Sequence, residues 1–232
     1  MEFLGGVVSD ALEALVSFGS GLGEVLALTL LVSLVATILG VAVGVPIGIS
    51  LALGRYRGKG ALDLVVSVGM GIPPVLVGLF LLLLIWNEGP LGGMGLVFTP
   101  AAMVIAQFLL AVPIAAGVTA GAVKGLPSSA LEQIEALKLG RWLKARVAVA
   151  EAGAGVAAAS AAAFGRVISE VGAVLIVGGN ILGETRVLTT LIVQESRQAR
   201  FGSAVAAGVV LLLLSLAVNV AISRWGHRPV ST

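Results

Sequence analysis

Long apolar runs separated by short polar stretches make up most of the chain. Five runs are long enough to cross a lipid bilayer, which takes about 20 apolar residues for about 30 Å of hydrocarbon. They cover residues 25–53, 64–86, 100–123, 152–177 and 201–223. Continuous hydrophobicity over such lengths predicts membrane-spanning helices. We therefore expect an all-α membrane protein with about five transmembrane helices in a single domain, residues 1–232.

Composition supports this interpretation and excludes several classes of function. Of the 232 residues, 58% are hydrophobic and 11% are charged, and the mean hydropathy is +1.11. A soluble domain carries about 25% charged residues, so a multi-pass protein of the plasma (inner) membrane is expected. With no cysteine and one histidine, the sequence offers no metal cluster and no histidine-based catalytic set. An enzyme is therefore not expected. The basic residues form no continuous stripe, so a nucleic-acid-binding protein is not expected either.

The distribution of charge predicts the orientation of the spans. Ten of the fourteen lysines and arginines flank the spans on one side, at Arg55, Arg57, Lys59, Lys124, Lys138, Arg141, Lys144, Arg146, Arg224 and Arg228. By the positive-inside rule that side is cytoplasmic. Glu2, Asp10 and Glu13 stand where a secretory leader would carry lysine or arginine, so the first span is expected to be retained. The five spans then run from an outer N-terminus to a cytoplasmic C-terminus.

Glycines and prolines within the spans indicate how the helices pack and bend. Two stripes of glycine at every fourth residue are Gly40, Gly44, Gly48 and Gly117, Gly121, Gly125. Such stripes let helix backbones approach closely in lipid. Prolines interrupt the spans at Pro46, Pro73, Pro74 and Pro113. The backbone groups that a proline frees are tolerated against protein or a water-filled cavity, so each proline marks either a pathway or a structural kink.

The cytoplasmic segment at about residues 124–146 predicts a short amphipathic helix. Ser129, with Glu132 three residues later, has the spacing of a capping box, and Gly140 is placed to end the helix. Its apolar residues recur at helical spacing, at Leu131, Ile134 and Leu137. Such a helix must bury its apolar face. That face packs either on the rim of the chain or the membrane interface, or in a groove on a partner protein.

The sequence of this segment resembles the coupling loop of ABC-importer permeases. The matching residues are Glu135-Ala136-Leu137 with Gly140, followed by VAVAEA from Val147. In that family the loop docks into a cleft on the ATP-hydrolysing subunit. The resemblance therefore implies coupling to an ATPase through the helix and its flanks, at Ser129, Glu132, Glu135, Ala136, Leu137 and Gly140.

A second resemblance covers the segment ISEVGAVLIVGGNILGETRVLTTLIVQESRQARF, residues 168–201. It is similar to the corresponding segment of tungstate-type ABC transporter permeases, whereas molybdate and sulfate permeases share the looser Glu-x-Gly-Ala and Gly-Asn pattern. The resemblance implies a homodimer that works with two ABC ATPase subunits and an extracytoplasmic oxyanion-binding protein. It also implies that this chain binds no cofactor, since the partner ATPase uses ATP and Mg.

The energy source distinguishes the classes of transporter. The chain has no Gly-x4-Gly-Lys-Ser/Thr phosphate loop, and Gly58-Lys59-Gly60 is a near miss, so a separate subunit is expected to hydrolyse ATP. The first candidate substrate is tungstate, and the alternatives are molybdate, sulfate or another small anion. A self-contained secondary transporter would carry coupling ionisable residues at mid-membrane and often an internal repeat. The sequence shows one charged pair and no repeat.

The polar segment after the fourth span holds the candidate substrate-pathway residues. Tungstate is a tetrahedral dianion, so its passage should offer hydroxyl, amide or cationic donors. The residues that meet this description are Asn180, Thr185, Arg186, Thr189 and Thr190. The alternative is a solvated loop in which Arg186 contacts the binding protein or pairs with Glu184.

Arg166 and Glu170 form a candidate intramembrane ion pair. Four residues apart on one helix, they would meet on the same face and neutralise each other, which lowers the cost of placing either charge in the bilayer. The pair is either a structural contact or a gate that breaks and reforms during transport.

Overall fold

The computed structural model describes residues 2–17, 20–136 and 140–226, although not the side chains of residues 2–4, 15–17, 20, 131, 133–135, 141 and 225–226. Within these ranges the helices are α1 Glu2–Ser17, α2 Ser20–Leu53, α3 Lys59–Gly71, α4 Pro74–Ile85, α5 Pro100–Lys124, α6 Ser128–Ala136, α7 Arg141–Glu151, α8 Gly153–Ile168, α9 Gly172–Gly178, α10 Leu188–Arg197 and α11 Phe201–Gly226. One turn of 3₁₀ helix covers Gly92–Met94. The predicted all-α fold is confirmed.

Three helices are long and apolar enough to cross a membrane unbroken. They are α2, α5 and α11, whose candidate membrane spans have mean hydropathies of 2.6, 2.2 and 2.6. Two bent pairs, α3 with α4 and α7 with α8, also pass this test when each pair is taken as one span. Within the described residues the count is therefore three spans, or up to five, which agrees with the predicted number.

The second predicted span is broken at its proline pair. α3 and α4 meet at a bend of 105°. Ile72 and Pro73 are extended, with ψ angles of 133° and 123°, because a residue that precedes proline avoids the helical region. Pro74 then occupies the first turn of α4, where its missing N–H costs nothing. Pro46 and Pro113, by contrast, lie inside the continuous helices α2 and α5.

The fourth predicted span, residues 152–177, is also divided. It corresponds to α8 and α9, which are separated at residues 169–171. The helix that forms a candidate span together with α8 is α7, and the two meet at a bend of 85°. The apolar run therefore predicted that these residues are helical, but it did not predict the break between α8 and α9 or the pairing of α8 with α7.

The chain divides into two compact units. The first comprises residues 1–36, 73–107 and 167–218, and the second comprises residues 37–72, 108–166 and 219–232. Each of α2, α5 and α11 contributes residues to both units.

In the second unit, α2 and α5 pack through small residues. A Cβ atom added at Gly44 would lie 2.6 Å from Ala115 Cβ and 2.7 Å from the Val112 carbonyl oxygen, closer than atoms can approach. Gly40 and Gly48 face α5 in the same way. The first glycine stripe is thus confirmed as a packing surface. In the second stripe, Gly121 has no such neighbour within 4 Å.

In the first unit, α4 and α9 cross at a similarly short distance. A Cβ atom at Gly78 would lie 2.7 Å from Ala173 Cα. α10 packs against α2 and α11 through an apolar cluster made by Val25, Leu188, Leu191 and Ala207. These contacts position α9, α10 and the polar segment that joins them.

Candidate functional site

The polar segment comprises residues 179–187 and joins α9 to α10. Gly179 ends α9 with a φ of 70°, and its N–H donates to the Leu175 carbonyl at 3.0 Å. Asn180 follows with a φ of 56°, a left-handed conformation that asparagine tolerates better than most residues. The Gly-Asn pair therefore reverses the chain immediately after the helix, which explains this residue pair at this place.

Thr185 closes the segment into a tight loop. Its side chain is fully buried, and its hydroxyl donates to the Gly178 carbonyl. The same oxygen accepts the Ile181 N–H at 2.9 Å. The backbone N–H groups of Thr185 and Arg186 both donate to the Ile181 carbonyl at 3.0 Å. Both hydrogen-bonding functions of this hydroxyl serve the backbone of the loop.

Thr189 and Thr190 anchor the start of α10. Both are buried. The Thr189 hydroxyl donates to the Glu170 carbonyl at 3.1 Å, and Thr190 Oγ1 accepts the N–H of Val187 at 3.1 Å and donates to its carbonyl at 3.0 Å. The hydroxyl protons of these two threonines are therefore bound to main-chain carbonyls.

A hydroxyl from another helix completes the start of α10. Thr29 Oγ1, on α2, accepts the Leu188 N–H at 3.0 Å and donates to the Val25 carbonyl at 2.6 Å. The first N–H groups of a helix have no partner within that helix. Thr29 supplies one such partner, and the apolar pattern of the first span did not reveal this role.

Three side chains with amide or guanidinium groups form a chain of hydrogen bonds beside the loop. Arg186 Nε donates to Asn180 Oδ1 at 3.3 Å, and Asn180 Nδ2 donates to Gln194 Oε1 at 2.7 Å. Arg186 is thus oriented by Asn180, and not by Glu184 as one of the sequence-based alternatives had it. Gln194 was missed from sequence, although its spacing from Thr190 places both on one face of α10.

Glu170 does not lie on the same helix as Arg166. α8 ends at Ile168, and Glu170 stands in the break before α9. Its carboxylate is buried and accepts the Ala173 N–H at 3.1 Å, in the first turn of α9, where a negative charge is favourable. The single helix on which the predicted pairing was based is therefore absent, and the pairing of Arg166 with Glu170 itself stays a prediction.

The predicted amphipathic helix is present as α6. It begins at Ser128, so Ser129 lies in the first turn rather than at the cap position that a capping box with Glu132 requires. Ser129, Glu132 and Ala136 are exposed. Leu137 lies outside the described residues, as does the side chain of Glu135.

Gly140 stands at the N-cap position of α7. Its φ and ψ of −60° and 157° are extended, and its carbonyl accepts the Lys144 N–H at 3.0 Å, as at the start of a helix. The left-handed conformation expected of a glycine at a helix end is absent.

An apolar surface follows Gly140. Trp142 is 84% exposed, and its neighbour Leu143 is 46% exposed. α7 was not anticipated from the sequence as a separate helix. This exposed tryptophan lies within the predicted coupling segment, residues 124–146, and offers a partner protein a large contact area.

No metal centre is found among the described side chains, where no group of three or more histidine, cysteine, aspartate or glutamate residues has the geometry to hold an ion.

Comparison with known proteins identifies the family. Residues 44–227, more than half of the chain, match the family described as "Binding-protein-dependent transport system inner membrane component". The "Probable anion ABC transporter permease protein" of Haloferax volcanii is 42% identical over 75% of this chain and 77% of its own length. The "Tungstate uptake system permease protein TupB" of Peptoclostridium acidaminophilum is 38% identical over 96% of this chain and 97% of its own length.

A solved structure shows the same fold. The inward-facing MetNI methionine ABC transporter aligns with a TM-score of 0.69 at 18% identity, over 87% of this chain and 94% of the matched chain. A binding-protein-dependent family also decides against the self-contained transporter. The chain belongs to the inner membrane components of binding-protein-dependent transport systems: it is the multi-span permease of an ABC transporter and not an enzyme.

Proposed function

We propose that this chain is the permease subunit of an importer for an oxyanion, and that the oxyanion is tungstate. The observation that carries the proposal is the alignment with a tungstate uptake permease along nearly the whole of both chains. The segment 168–201, which resembles tungstate-type permeases, contains α9, the polar segment and α10.

The orientation proposed from charge places the functional regions on opposite sides. The ten flanking lysines and arginines face the cytoplasm together with α6 and the start of α7. The polar segment then lies on the outer side, where a binding protein delivers its cargo. The N-terminus is outside and the C-terminus inside.

The ATPase is proposed to dock on α6 and the beginning of α7. Ser129, Glu132 and Ala136 are exposed on α6, and Trp142 is exposed on α7. Glu135, Leu137 and Gly140 belong to the same docking segment by resemblance. Two ATPase subunits, which use ATP and Mg, serve two copies of this chain.

The homodimer is proposed to use part of the apolar face of α11. Large apolar side chains remain exposed there at helical spacing, at Val205, Val209, Leu212 and Leu216. Only 11% of the candidate membrane span in α11 is buried within one chain. A second copy covers part of this face, and lipid covers the rest.

Within the proposed substrate pathway, the five polar residues divide into two groups. Asn180 and Arg186 are partly exposed and offer amide and guanidinium donors, which suit a tetrahedral dianion. Thr185, Thr189 and Thr190 are buried, and their hydroxyls hold the backbone that presents those donors. Arg166 and Glu170 remain a proposed pair, with a structural or a gating role.

The second candidate substrate is molybdate, sulfate or another small anion. Molybdate and sulfate are tetrahedral dianions too, so donors in the passage distinguish them weakly, and the binding protein makes most of the selection.

ATP hydrolysis by the permease–ATPase complex in lipid tests the proposal. The outer binding protein is added loaded with tungstate, molybdate or sulfate, or empty. We expect the tungstate-loaded protein to stimulate hydrolysis most. Equal stimulation by the other anions would retain the oxyanion importer and reject the tungstate assignment, whereas failure to assemble with any ATPase would reject the permease role.

A further inference from the structure

One face of α10 borders a cavity and carries three polar side chains. Arg197 and the C-cap residue Gln198 follow Gln194 by three and four residues, which places each of them on the side of the helix where Gln194 lies. The cavity has a volume of about 200 Å³ and lies within the first unit, and the remainder of its wall is made by Leu175, Asn180, Thr190 and Val193. At about 30 Å³ per water molecule, it has room for a tetrahedral oxyanion with part of its hydration shell.

The lining of this cavity favours an anion. No aspartate or glutamate belongs to it, and Arg197 contributes a guanidinium group with five N–H donors. Gln194 Oε1 already accepts a hydrogen bond from Asn180 Nδ2 at 2.7 Å. Because this bond fixes the orientation of the Gln194 amide, its Nε2 group is left as a donor for another partner. A guanidinium and amide N–H groups are the donors that bind oxyanions.

Three carbonyl groups at the end of α10 accept backbone hydrogen bonds. The carbonyls of Gln194, Glu195 and Ser196 each accept a backbone N–H, from Gln198, Ala199 or Arg200, at 2.9–3.2 Å. Ala199 adopts a φ of 58°, which folds the chain back over the helix end. The partial negative charge of a helix C-terminus comes from unbonded carbonyls, so this turn reduces it.

The distribution of arginines singles out Arg197. Of the four basic residues outside the proposed cytoplasmic set, three lie between residues 186 and 200, on the proposed outer side, where the positive-inside rule disfavours them. Arg186 donates to Asn180, and Arg200 lies 3.8 Å from the Glu195 carboxylate. Among the described side chains, no carboxylate lies within 4.0 Å of Arg197. Arg197 is exposed, and the described side chains leave its charge without a neighbouring carboxylate.

We propose that this cavity is a transient binding site for the transported oxyanion. Arg197 supplies the charge, and Gln194 and Gln198 supply amide hydrogen bonds. The site rests on the proposed function, since it is the place where an anion released by the binding protein first meets the permease. A single cationic side chain holds a dianion weakly, which suits a site that must release its ligand.

Uptake of tungstate into vesicles tests this site in the whole permease–ATPase complex. ATP is enclosed, the tungstate-loaded binding protein is added outside at increasing concentration, and tungsten inside is measured by mass spectrometry. Gln194→Glu adds a negative charge to the cavity lining, whereas Ser196→Glu adds the same charge to an exposed position of α10 outside it. Arg197→Gln removes the cation, and Arg197→Lys retains it.

We expect the maximal uptake rate to fall about tenfold in Gln194→Glu and Arg197→Gln, the effect of one lost charge-assisted hydrogen bond. Ser196→Glu should stay within about twofold of the wild type. Arg197→Lys keeps the charge without the planar guanidinium, so its rate should lie between those of Arg197→Gln and the wild type. The half-saturating concentration of binding protein should not change, because docking is untouched. Thermal unfolding and basal ATP hydrolysis verify that each variant is folded and assembled.

Three results would overturn the site. Equal rates in Gln194→Glu and Ser196→Glu would show that the cavity holds no anion, while the proposed function would stand. A higher half-saturating concentration at an unchanged maximal rate would make α10 a docking surface for the binding protein. Absence of oxyanion uptake by the wild-type complex would reject the proposed function and the site together. If the wild type prefers molybdate or sulfate, the tungstate assignment fails and the same variants test the cavity with that ion.

Discussion

Two polar regions interrupt this apolar chain, and they use their polar side chains differently. In α6 and the start of α7, the described side chains of Ser129 and Glu132 are exposed, and Trp142 is 84% exposed. In the polar segment and the start of α10, Thr185, Thr189 and Thr190 are buried and bonded to the backbone. The first region leaves these side chains exposed, as its proposed role in docking the ATPase requires, and the second uses its three threonines to hold the backbone of the loop.

Polar residues in a membrane protein therefore serve two different purposes. Buried backbone groups need partners in the absence of water, so hydroxyls are recruited for structure. Groups meant for a ligand or partner must keep donors or apolar area available. In the second region, the side chains proposed for this role are those of Asn180, Arg186 and α10, because the threonine hydroxyls are bonded to the backbone.

The largest effect on stability is expected for Thr185→Val. This change removes the hydroxyl that donates to the buried Gly178 carbonyl and accepts the Ile181 N–H. Leaving a buried carbonyl unsatisfied costs about 1–3 kcal/mol. Thermal unfolding of the purified permease should occur at a clearly lower temperature, and Thr185→Ser should restore most of the loss. Unchanged unfolding in Thr185→Val would remove the structural role assigned to this threonine.

The next effect, on assembly rather than on folding, is expected for Trp142→Glu. A charge at the centre of the exposed apolar surface should weaken ATPase binding at least about tenfold, because buried tryptophans often dominate the energy of protein interfaces. Permease unfolding should be unaltered. Trp142→Phe, which keeps the aromatic surface, is the matched control. Full affinity in Trp142→Glu would exclude this surface from the docking site.

A smaller loss of stability is expected for Thr29→Val. The variant keeps the shape of the side chain and deletes the acceptor for the Leu188 N–H at the start of α10. The loss should be about 1 kcal/mol, within the range measured for helix caps. Hydrogen exchange of the Leu188 amide should become faster, while exchange in α6 stays the same. Equal acceleration in both regions would indicate general destabilisation instead.

The smallest effect is expected for Ser129→Ala. Ser129 lies inside the first turn of α6 and is exposed, so the unfolding free energy should change by less than about 0.5 kcal/mol. If thermal unfolding shows that the variant loses about 1 kcal/mol or more of unfolding free energy, Ser129 acts as the helix cap, as the sequence predicted.

Sequence alone predicted the elements that are uniformly apolar. The runs at residues 25–53, 100–123 and 201–223 correspond to α2, α5 and α11 within a few residues at most boundaries. Hydrophobicity and length are sufficient to predict these helices. The first glycine stripe was also predictable, because small residues at every fourth position mark a helix contact in lipid.

The breaks and the short helices were not predictable in the same way. A single proline is tolerated within α2 and within α5, whereas Pro73 and Pro74 together divide a span. The sequence is apolar around the prolines in all three places, so hydrophobicity does not predict which of them breaks the helix. α10 has ten residues and a polar face, so its pattern is too short to distinguish from a loop.

The roles of the polar residues depend on neighbours that are distant in sequence. A threonine that bonds the backbone and one that faces a ligand look identical in sequence. Thr189 finds its partner at Glu170, and the N–H of Leu188 finds its partner at Thr29. The position of Gly140 was informative, but its extended conformation assigns it to the beginning of α7.

Tungstate uptake by the reconstituted wild-type complex is the most direct test of the central claim. Vesicles that contain the permease and its ATPase, with ATP enclosed, receive the outer binding protein loaded with tungstate, and internal tungsten is followed over time. We expect accumulation against a gradient that requires both ATP and the binding protein. Accumulation without either of them, or none with both present, would contradict the assignment of this chain as an ATP-driven tungstate permease.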